Sequence, residues 1–227
     1  MTQVKTFYER AGRALFAPWN YPLAISDHLA EERACMIRML GAGAYETMVE
    51  VGCVDGSLSM DAAIGLGVGY IGIDLVETAV NQLLRKLARD YPGDVRATAR
   101  VLDVERLTEL GPLERPIAVF SFNSYGNLDR AEPVVAELAR AGCDAFIPTY
   151  RTDTSSTQMR REYYIRCRYT DLCETRDDKG VLFTANEGLH TYAYHATWIV
   201  PLLERHGFRV TAESFGTIGT YYWATRP

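Results

Sequence analysis

The segment Met48-Val49-Glu50-Val51-Gly52-Cys53-Val54-Asp55-Gly56 sets a carboxylate and two glycines at alternate positions of one run, with Val54 at the position between the glycines. Tyr70-Ile71-Gly72-Ile73-Asp74 then ends an apolar run in a second acid. An apolar strand ending in a glycine turn brings bare backbone against a ligand, and a helix starting near Ser57 aims free N–H groups at it. An acid at the tip of the next strand is placed to accept from a pair of ribose hydroxyls. These residues suit a nucleoside-bearing ligand. They do not suit a dinucleotide-binding dehydrogenase, because G-x-G-x-x-G counted from Gly52 needs glycine where Val54 and Ser57 stand.

Further along, Arg100-Val101-Leu102-Asp103-Val104 reads as a third strand ending in an acid. Pro116 to Phe122 reads as a fourth, fully buried strand, and it runs into Asn123-Ser124-Tyr125-Gly126-Asn127. His190, His195 and Glu187 are candidate general bases, since a histidine with near-neutral pKa can take a proton from an amine, hydroxyl or thiol. The five cysteines (Cys35, Cys53, Cys143, Cys167, Cys173) form neither a disulfide framework nor a zinc-spaced cluster, so no metal is expected. Cys53 is most simply a small buried residue.

The elements needed to hold these residues alternate. Helices are expected over Ser57–Ile64, Glu77–Arg89, Ala131–Ala141 and Trp198–His206, with a short helical turn near Glu105–Leu110 and a fifth strand over Cys143–Tyr150. Strand-helix repetition requires parallel pairing with right-handed crossovers and helices on both faces. Phe208–Phe215 and Thr217–Ala224, joined at Gly216, read as a closing hairpin. Before the first strand, Gln3–Ala17 carries Phe7, Tyr8, Ala11, Ala14 and Leu15 at helical spacing, and Pro22–Leu40 carries Leu23, Leu29, Met36, Ile37 and Leu40. The aromatic link Pro18-Trp19-Asn20-Tyr21-Pro22 joins them. Residues 151–195 break the alternation with Tyr163, Tyr164, Tyr169, Phe183, Tyr192 and Tyr194. A long insertion at the carboxyl end of parallel strands lies over the ligand crevice, so a cap is expected there.

Composition fits one domain over residues 1–227: 48% of the residues are hydrophobic and 23% charged. No run approaches the ~18 apolar residues of a membrane span, and no signal-peptide core opens the chain, so a cytoplasmic protein is expected. The net charge of −5 disfavours nucleic acid as the substrate. Arg160, Arg161, Arg166 and Arg168, diluted by Glu162, Asp171 and Glu174, read as a solvated, mixed-charge face. A metabolite is then the default substrate. The N-terminal helical pair either covers its own active site or pairs with a neighbour, which leaves a homodimer open.

The string Glu50-x-Gly52-x-Val54-x-Gly56, followed in order by Asp74, Asp103 and Asn123, resembles the class I S-adenosylmethionine (SAM) methyltransferase family, whose first motif is an acid and then Gly-x-Gly-x-Gly. The middle glycine is Val54 here. The resemblance implies a three-layer α/β sandwich: a Rossmann-like, seven-stranded, mostly parallel sheet with a C-terminal antiparallel hairpin, an N-terminal helical lid (1–45) and a cap (151–195). It implies SAM as methyl donor, with Glu50 orienting the methionine end, Gly52 and Gly56 shaping the turn, and Asp74 on the ribose. Asp103 accepts from the adenine amino group, the Val104 N–H meets the ring, and Asn123 stands near the sulfonium. An acid would hold a divalent metal at that last position, and Asn123 argues against one. Tyr8 and Tyr21 are candidates to close the pocket. Tyr164 and Tyr192 are the preferred aromatic contacts for a sulfonium cation.

The implied activity is in-line methyl transfer to a small molecule, in which alignment and water exclusion supply the catalysis and His195 is a candidate base. A second chemistry occurs on the same fold: cyclisation of SAM to azetidine-2-carboxylate with release of methylthioadenosine. The Phe122–Asn127 segment with Asn127, together with Tyr164 and Thr191, resembles what such cyclases place around the methionyl moiety.

Overall fold

Alternation of period two sends Val49 and Val51 of the first strand to one side and Met48 and Glu50 to the other, and both sides are buried. A strand buried on both faces needs a layer on each, and the computed structural model, which describes residues 3–42 and 45–227, supplies them. Of the lid expected over 1–45, positions 1, 2, 43 and 44 lie outside the described residues. In chain order the elements are α1 (Gln3–Arg10), α2 (Leu23–Ala42), β1 (Thr47–Val51), α3 (Met60–Gly65), β2 (Gly69–Asp74), α4 (Glu77–Asp90), β3 (Ala97–Val101), β4 (Pro116–Val119), α5 (Ala131–Arg140) and β5 (Asp144–Tyr150). They continue with α6 (Thr154–Arg166), β6 (Cys173–Arg176), β7 (Gly180–Thr184), β8 (His190–Tyr194), α7 (Ala196–Arg205), β9 (Arg209–Phe215) and β10 (Gly219–Thr225).

The main sheet runs β3-β2-β1-β4-β5-β10-β9. Pairs among β1 to β5 are parallel, whereas β10 is antiparallel to both β5 and β9. On one face Val49, Ala118 and Phe120 pack against Val134 and Leu138 of α5 and Ile199 and Leu203 of α7. On the other, Met48, Tyr70 and Phe146 meet Met36 and Met39 of α2, Met60 of α3 and Leu83 of α4. This is the expected three-layer architecture, with boundaries shifted by a few residues. The helix expected from Ser57 starts only at Met60, and the helix expected over Gln3–Ala17 splits into α1 and a 3-10 turn, Gly12–Phe16.

The insertion adds a second, antiparallel sheet, β6-β7-β8, beside α6. It also grips the N-terminal segment. Tyr163 Oη donates to Leu15 O (2.5 Å), Tyr169 Oη to Ala11 O (3.2 Å) and Cys167 Sγ to Ala14 O (3.4 Å). A third apolar cluster, including Phe7, Leu15, Ile25, Phe122, Tyr163 and Phe183, lies between them. Residues 3–21 are thereby strapped across the carboxyl ends of the strands.

Candidate active site

Under that strap lies a cavity of about 290 Å³. Its floor comes from strand ends: Val51 of β1 and Gly52 after it, Ile73 and Asp74 of β2, Asp103 and Val104 after β3, and Ser121, Ser124 and Asn127 after β4. Thr78 and Gln82 of α4 form one wall, and Tyr8, Phe16 and Phe122 supply aromatic cover. A crevice at the carboxyl ends of parallel strands is the usual ligand site of an open α/β sheet. A smaller space of about 20 Å³ adjoins it, sharing Tyr8, Phe16, Phe122 and Asn127 and bounded further by Asn123, Tyr150, Tyr164 and Thr191.

The glycine turn differs from expectation in how its N–H groups are used. Gly52 and Cys53 N–H both donate to Ile73 O (2.9 and 3.2 Å), Gly56 N–H to Cys53 O (2.7 Å) and Ser57 N–H to Asp55 Oδ1 (3.0 Å). The turn contributes shape rather than a cluster of free donors. Gly52 (φ 73°) lines the cavity, and a Cβ there would meet Ser124 Cβ at 3.3 Å. Gly56 does not line it; a Cβ at that position would strike Leu83 Cδ1 at 2.8 Å, so its role is packing.

Val54, at the motif's middle glycine position, still takes a left-handed backbone (φ 48°). That conformation costs an L-residue about 1–2 kcal/mol, and β-branching makes it worse. Val54→Gly is therefore expected to raise stability by about 0.5–1 kcal/mol, net of glycine's extra chain entropy, and Tm by a few degrees. Thermal denaturation checks this, and a lowered Tm would show that side-chain packing outweighs the strain.

Asp74 is held by two backbone donors, Val54 N–H to Oδ2 (3.1 Å) and Val76 N–H to Oδ1 (2.9 Å). Burial pushes its carboxyl up, opposed by those N–H groups and that of Leu75. An ionised carboxylate has about four lone-pair positions, so at least one remains for a ligand. Asp103 accepts from Glu105 N–H (3.0 Å), capping the 3-10 helix Val104–Leu110, and stands with Val104 in the cavity wall. Ser124 Oγ is buried without a hydrogen-bond partner and lines the same cavity. A buried orphan hydroxyl is costly unless a ligand or water completes it.

Glu50 does not line the cavity. It is 1% exposed, accepts from Tyr70 Oη at 2.5 Å, and is reached by the Ser59 and Ser121 hydroxyls. Burial raises its carboxyl to about 7, opposed by those three hydroxyls. The reason for its recession is register, since Glu50 shares the β1 face of Met48. It braces the turn from behind instead of reaching the ligand space.

Asn123 lies at the small space with its amide committed. Its Nδ2 donates to Thr191 Oγ1 (3.1 Å) and Tyr192 O (3.0 Å), and Thr149 Oγ1 donates to its Oδ1 (2.5 Å). Asn127 borders both spaces and bonds the Tyr8 hydroxyl. Burial raises the Tyr8 phenol far above its usual range, so it remains a neutral hydroxyl.

Several expected contacts fall elsewhere. Tyr21 lines neither space; its ring stands edge-on to Phe122 and Tyr163, so it supports the cover from outside. Tyr192 turns away, donating to Asp177 Oδ2 (2.8 Å) and stacking on Tyr194. Tyr164 and Thr191 border only the small space. His195 precedes α7 with Nδ1 2.9 Å from Thr152 Oγ1, His190 packs on Tyr192, and Glu187 accepts from Thr170, so no candidate base faces the ligand space. Among the described residues no group of three or more His, Cys, Asp or Glu could hold a metal, and no helix is long and apolar enough to cross a membrane. Phe16 and Gln82 were not legible as site residues, because they enter through a 3-10 turn and a helix face with no motif of their own, whereas Phe122 and Ser124 belong to the segment that the sequence singles out.

The cover rests on strained backbone. Phe122 and Asn123 are consecutive left-handed residues (φ 53° and 60°), and Phe122 N–H donates to Glu32 Oε1 (2.8 Å) from α2. Burial raises Glu32 to about 8, partly offset by that N–H, and lowers the adjacent His28 to about 3. His28 is sandwiched between Tyr150 and Phe215. Because Glu32 binds its proton more tightly when folded, its contribution is complete below the ordinary 4.5 and is lost as pH rises toward about 8. Glu50 acts with the same sign. His28 acts oppositely, its contribution being lost as pH falls from the ordinary 6.5 toward about 3. Between about 6.5 and 8 only the carboxyls act, so stability falls with rising pH. Glu32→Gln keeps the acceptor for Phe122 and should flatten this decline in pH-dependent thermal melts. An unchanged slope would contradict the assignment.

No protein-family model matches the sequence, and no curated protein matches it either. Solved structures do match. Magnesium protoporphyrin IX methyltransferase (ChlM) from Synechocystis PCC 6803, with bound S-adenosylhomocysteine (SAH), superposes with a TM-score of 0.68 at 16% identity, covering 99% of this chain and 98% of that one. The glycopeptide N-methyltransferase MtfA gives 0.59 at 16%, covering 87% and 95%. Burkholderia thailandensis 1,6-didemethyltoxoflavin-N1-methyltransferase, with bound 1,6-didemethyltoxoflavin and SAH, gives 0.62 at 12%, covering 88% and 79%. The chain has the Rossmann-like fold of the class I SAM-dependent methyltransferases.

Proposed function

We propose that this chain is a SAM-dependent transferase that passes a methyl group in line to a small-molecule metabolite without a metal. One observation carries the reading: the cavity gathers Gly52, Asp74, Asp103, Val104 and the orphan Ser124 Oγ on its floor and closes with Tyr8, Phe16 and Phe122 above. Asp74 would accept from the ribose hydroxyls on its remaining lone-pair capacity, and Asp103 and Val104 would border the adenine. SAM supplies an electrophilic carbon on a positively charged sulfur. The aromatic faces favour that charge the more water is excluded, and the strap covers part of the cavity. The side chains do the rest by alignment, because no candidate base faces the cavity and a neutral amine needs none. The similarity to structures that hold SAM or SAH in this fold supports the same ligand.

Cavity size favours a second reading. About 290 Å³ is at the low end of the ~300–1,000 Å³ of ligand pockets, and the adjoining 20 Å³ holds about one water. A space of that size is filled by about one ligand. This suits cyclisation within SAM, where the sulfur–γ-carbon bond gives way to a bond from the ligand's own amino nitrogen, leaving azetidine-2-carboxylate and methylthioadenosine. Incubation with SAM alone separates the two. Methylthioadenosine with a cyclic imino acid indicates cyclisation; SAH formed only when an acceptor is added indicates methyl transfer. Binding without turnover under any acceptor set would contradict both.

A further inference from the structure

The buried face of α2 carries Ile25, His28, Glu32, Cys35, Met36 and Met39 at helical spacing, and Glu32, 5% exposed, stands where that pattern calls for an apolar side chain. A carboxyl buried in such a place is costly unless hydrogen bonds offset the loss of water. Among the described residues Glu32 makes a single hydrogen bond: its Oε1 accepts from the Phe122 N–H, 90 residues along the chain, at 2.8 Å. Its Oε2 has no hydrogen-bond partner and lies 3.5 Å from Nε2 of His28, whose ring is held between Tyr150 and Phe215. Burial keeps the carboxyl protonated at neutral pH, so its O–H can point at that imidazole nitrogen while Oε1 serves Phe122.

The one bond that Glu32 makes falls on the most constrained part of the cavity wall. Phe122 and Asn123 are consecutive left-handed residues, a backbone that persists only where its surroundings over-determine it. On the Asn123 side the constraint comes from Thr149, Thr191 and Tyr192 O. On the Phe122 side it comes from Glu32, which pins the N–H and with it the peptide plane from which the ring projects. That ring, edge-on to Phe16 and Tyr21, borders both the 290 Å³ cavity and the 20 Å³ space. Glu32 itself lines neither.

We propose that Glu32 is a positioning residue: acting from α2 through the Phe122 N–H, it aims the Phe122 ring at the positively charged sulfur of the bound ligand. The inference rests on the SAM reading above, because the sulfonium is the charge that such a ring would attract.

The test is the ratio of calorimetric affinities for SAM and SAH, which differ only in the methyl group that charges the sulfur. It is measured on wild type, Glu32→Leu, Glu32→Gln, Phe122→Leu and the Glu32→Leu/Phe122→Leu double variant, each with a cooperative thermal transition. Deleting the ring in Phe122→Leu should shift the ratio against SAM by about fivefold, the size of one cation–π contact. Glu32→Leu suits the apolar face of α2 but leaves the Phe122 N–H without its acceptor, and should shift the ratio in the same direction by about threefold. Glu32→Gln keeps an oxygen for Phe122 and offers an N–H to His28, so it should stay near the wild-type ratio. Because Glu32 acts through the ring, the double variant should shift no further than Phe122→Leu alone. Should a leucine variant not fold, Glu32→Asp, drawn back by one methylene, decides by the same ratio. A merely structural Glu32 would weaken SAM and SAH alike, so an unchanged ratio in its folded variant overturns the proposal. A ratio unchanged in Phe122→Leu, shifts that add in the double variant, or a glutamine variant that shifts as far as the leucine one would also overturn it. Absence of binding of either ligand to the folded wild type overturns the SAM reading instead.

Discussion

Asp74→Ala is expected to weaken SAM binding by roughly 10- to 100-fold, measured by calorimetric titration. The side chain lines the cavity while Val54 and Val76 N–H fix its orientation. Hydrogen bonds to a charged acceptor are worth about 1.5–3 kcal/mol, and deletion removes them together. Alanine also strands the two N–H groups, so Asp74→Asn is the companion variant. It keeps one oxygen for the backbone and forfeits the charge, and an intermediate loss is expected. Unchanged affinity in both variants would remove the ribose assignment.

Gly126→Ala is expected to destabilise the protein by about 2–4 kcal/mol, lowering Tm by roughly 5–10 °C. A Cβ at this position would stand 2.1 Å from Tyr192 O and 2.5 Å from Asn123 Nδ2. The first of these is backbone of β8 and cannot rotate away. The substitution must therefore part the Ser121–Asn127 segment from the cap and break the Asn123 bond to Tyr192 O. Because Asn123 and Thr191 share that junction, ligand affinity should fall even in the fraction that remains folded. A Tm within a degree of wild type would show that the junction gives more easily than its geometry implies.

The parts legible in the sequence are those governed by local periodicity. The apolar runs ending in Gly52, Asp74 and Asp103 specify strands and place their tips together, because parallel pairing leaves no other edge for them. Contacts made far along the chain were not legible. Tyr192 and Tyr21 carry the right ring chemistry, but their orientation depends on Asp177 and Phe122. Glu50 matches the motif acid, yet strand register turns it into the sheet face beside Tyr70.

Arg160 is the clearest departure. Its neighbours Arg161 and Arg166 do pair with Glu174 and Glu162 on the solvent side. Arg160 lies on the same helical face as Ser156, Thr157, Tyr163 and Tyr164, and that face is buried. The three- and four-residue spacing from Arg160 to the paired tyrosines was the available signal, and charge composition outweighed it.

The central claim is that the cavity under the N-terminal strap takes an adenosyl ligand with an amino-acid tail. Isothermal titration of the folded wild-type chain with SAM, and separately with SAH, tests it most directly. The account predicts saturable one-to-one binding of both; no binding of either by a sample with a cooperative thermal transition would contradict it.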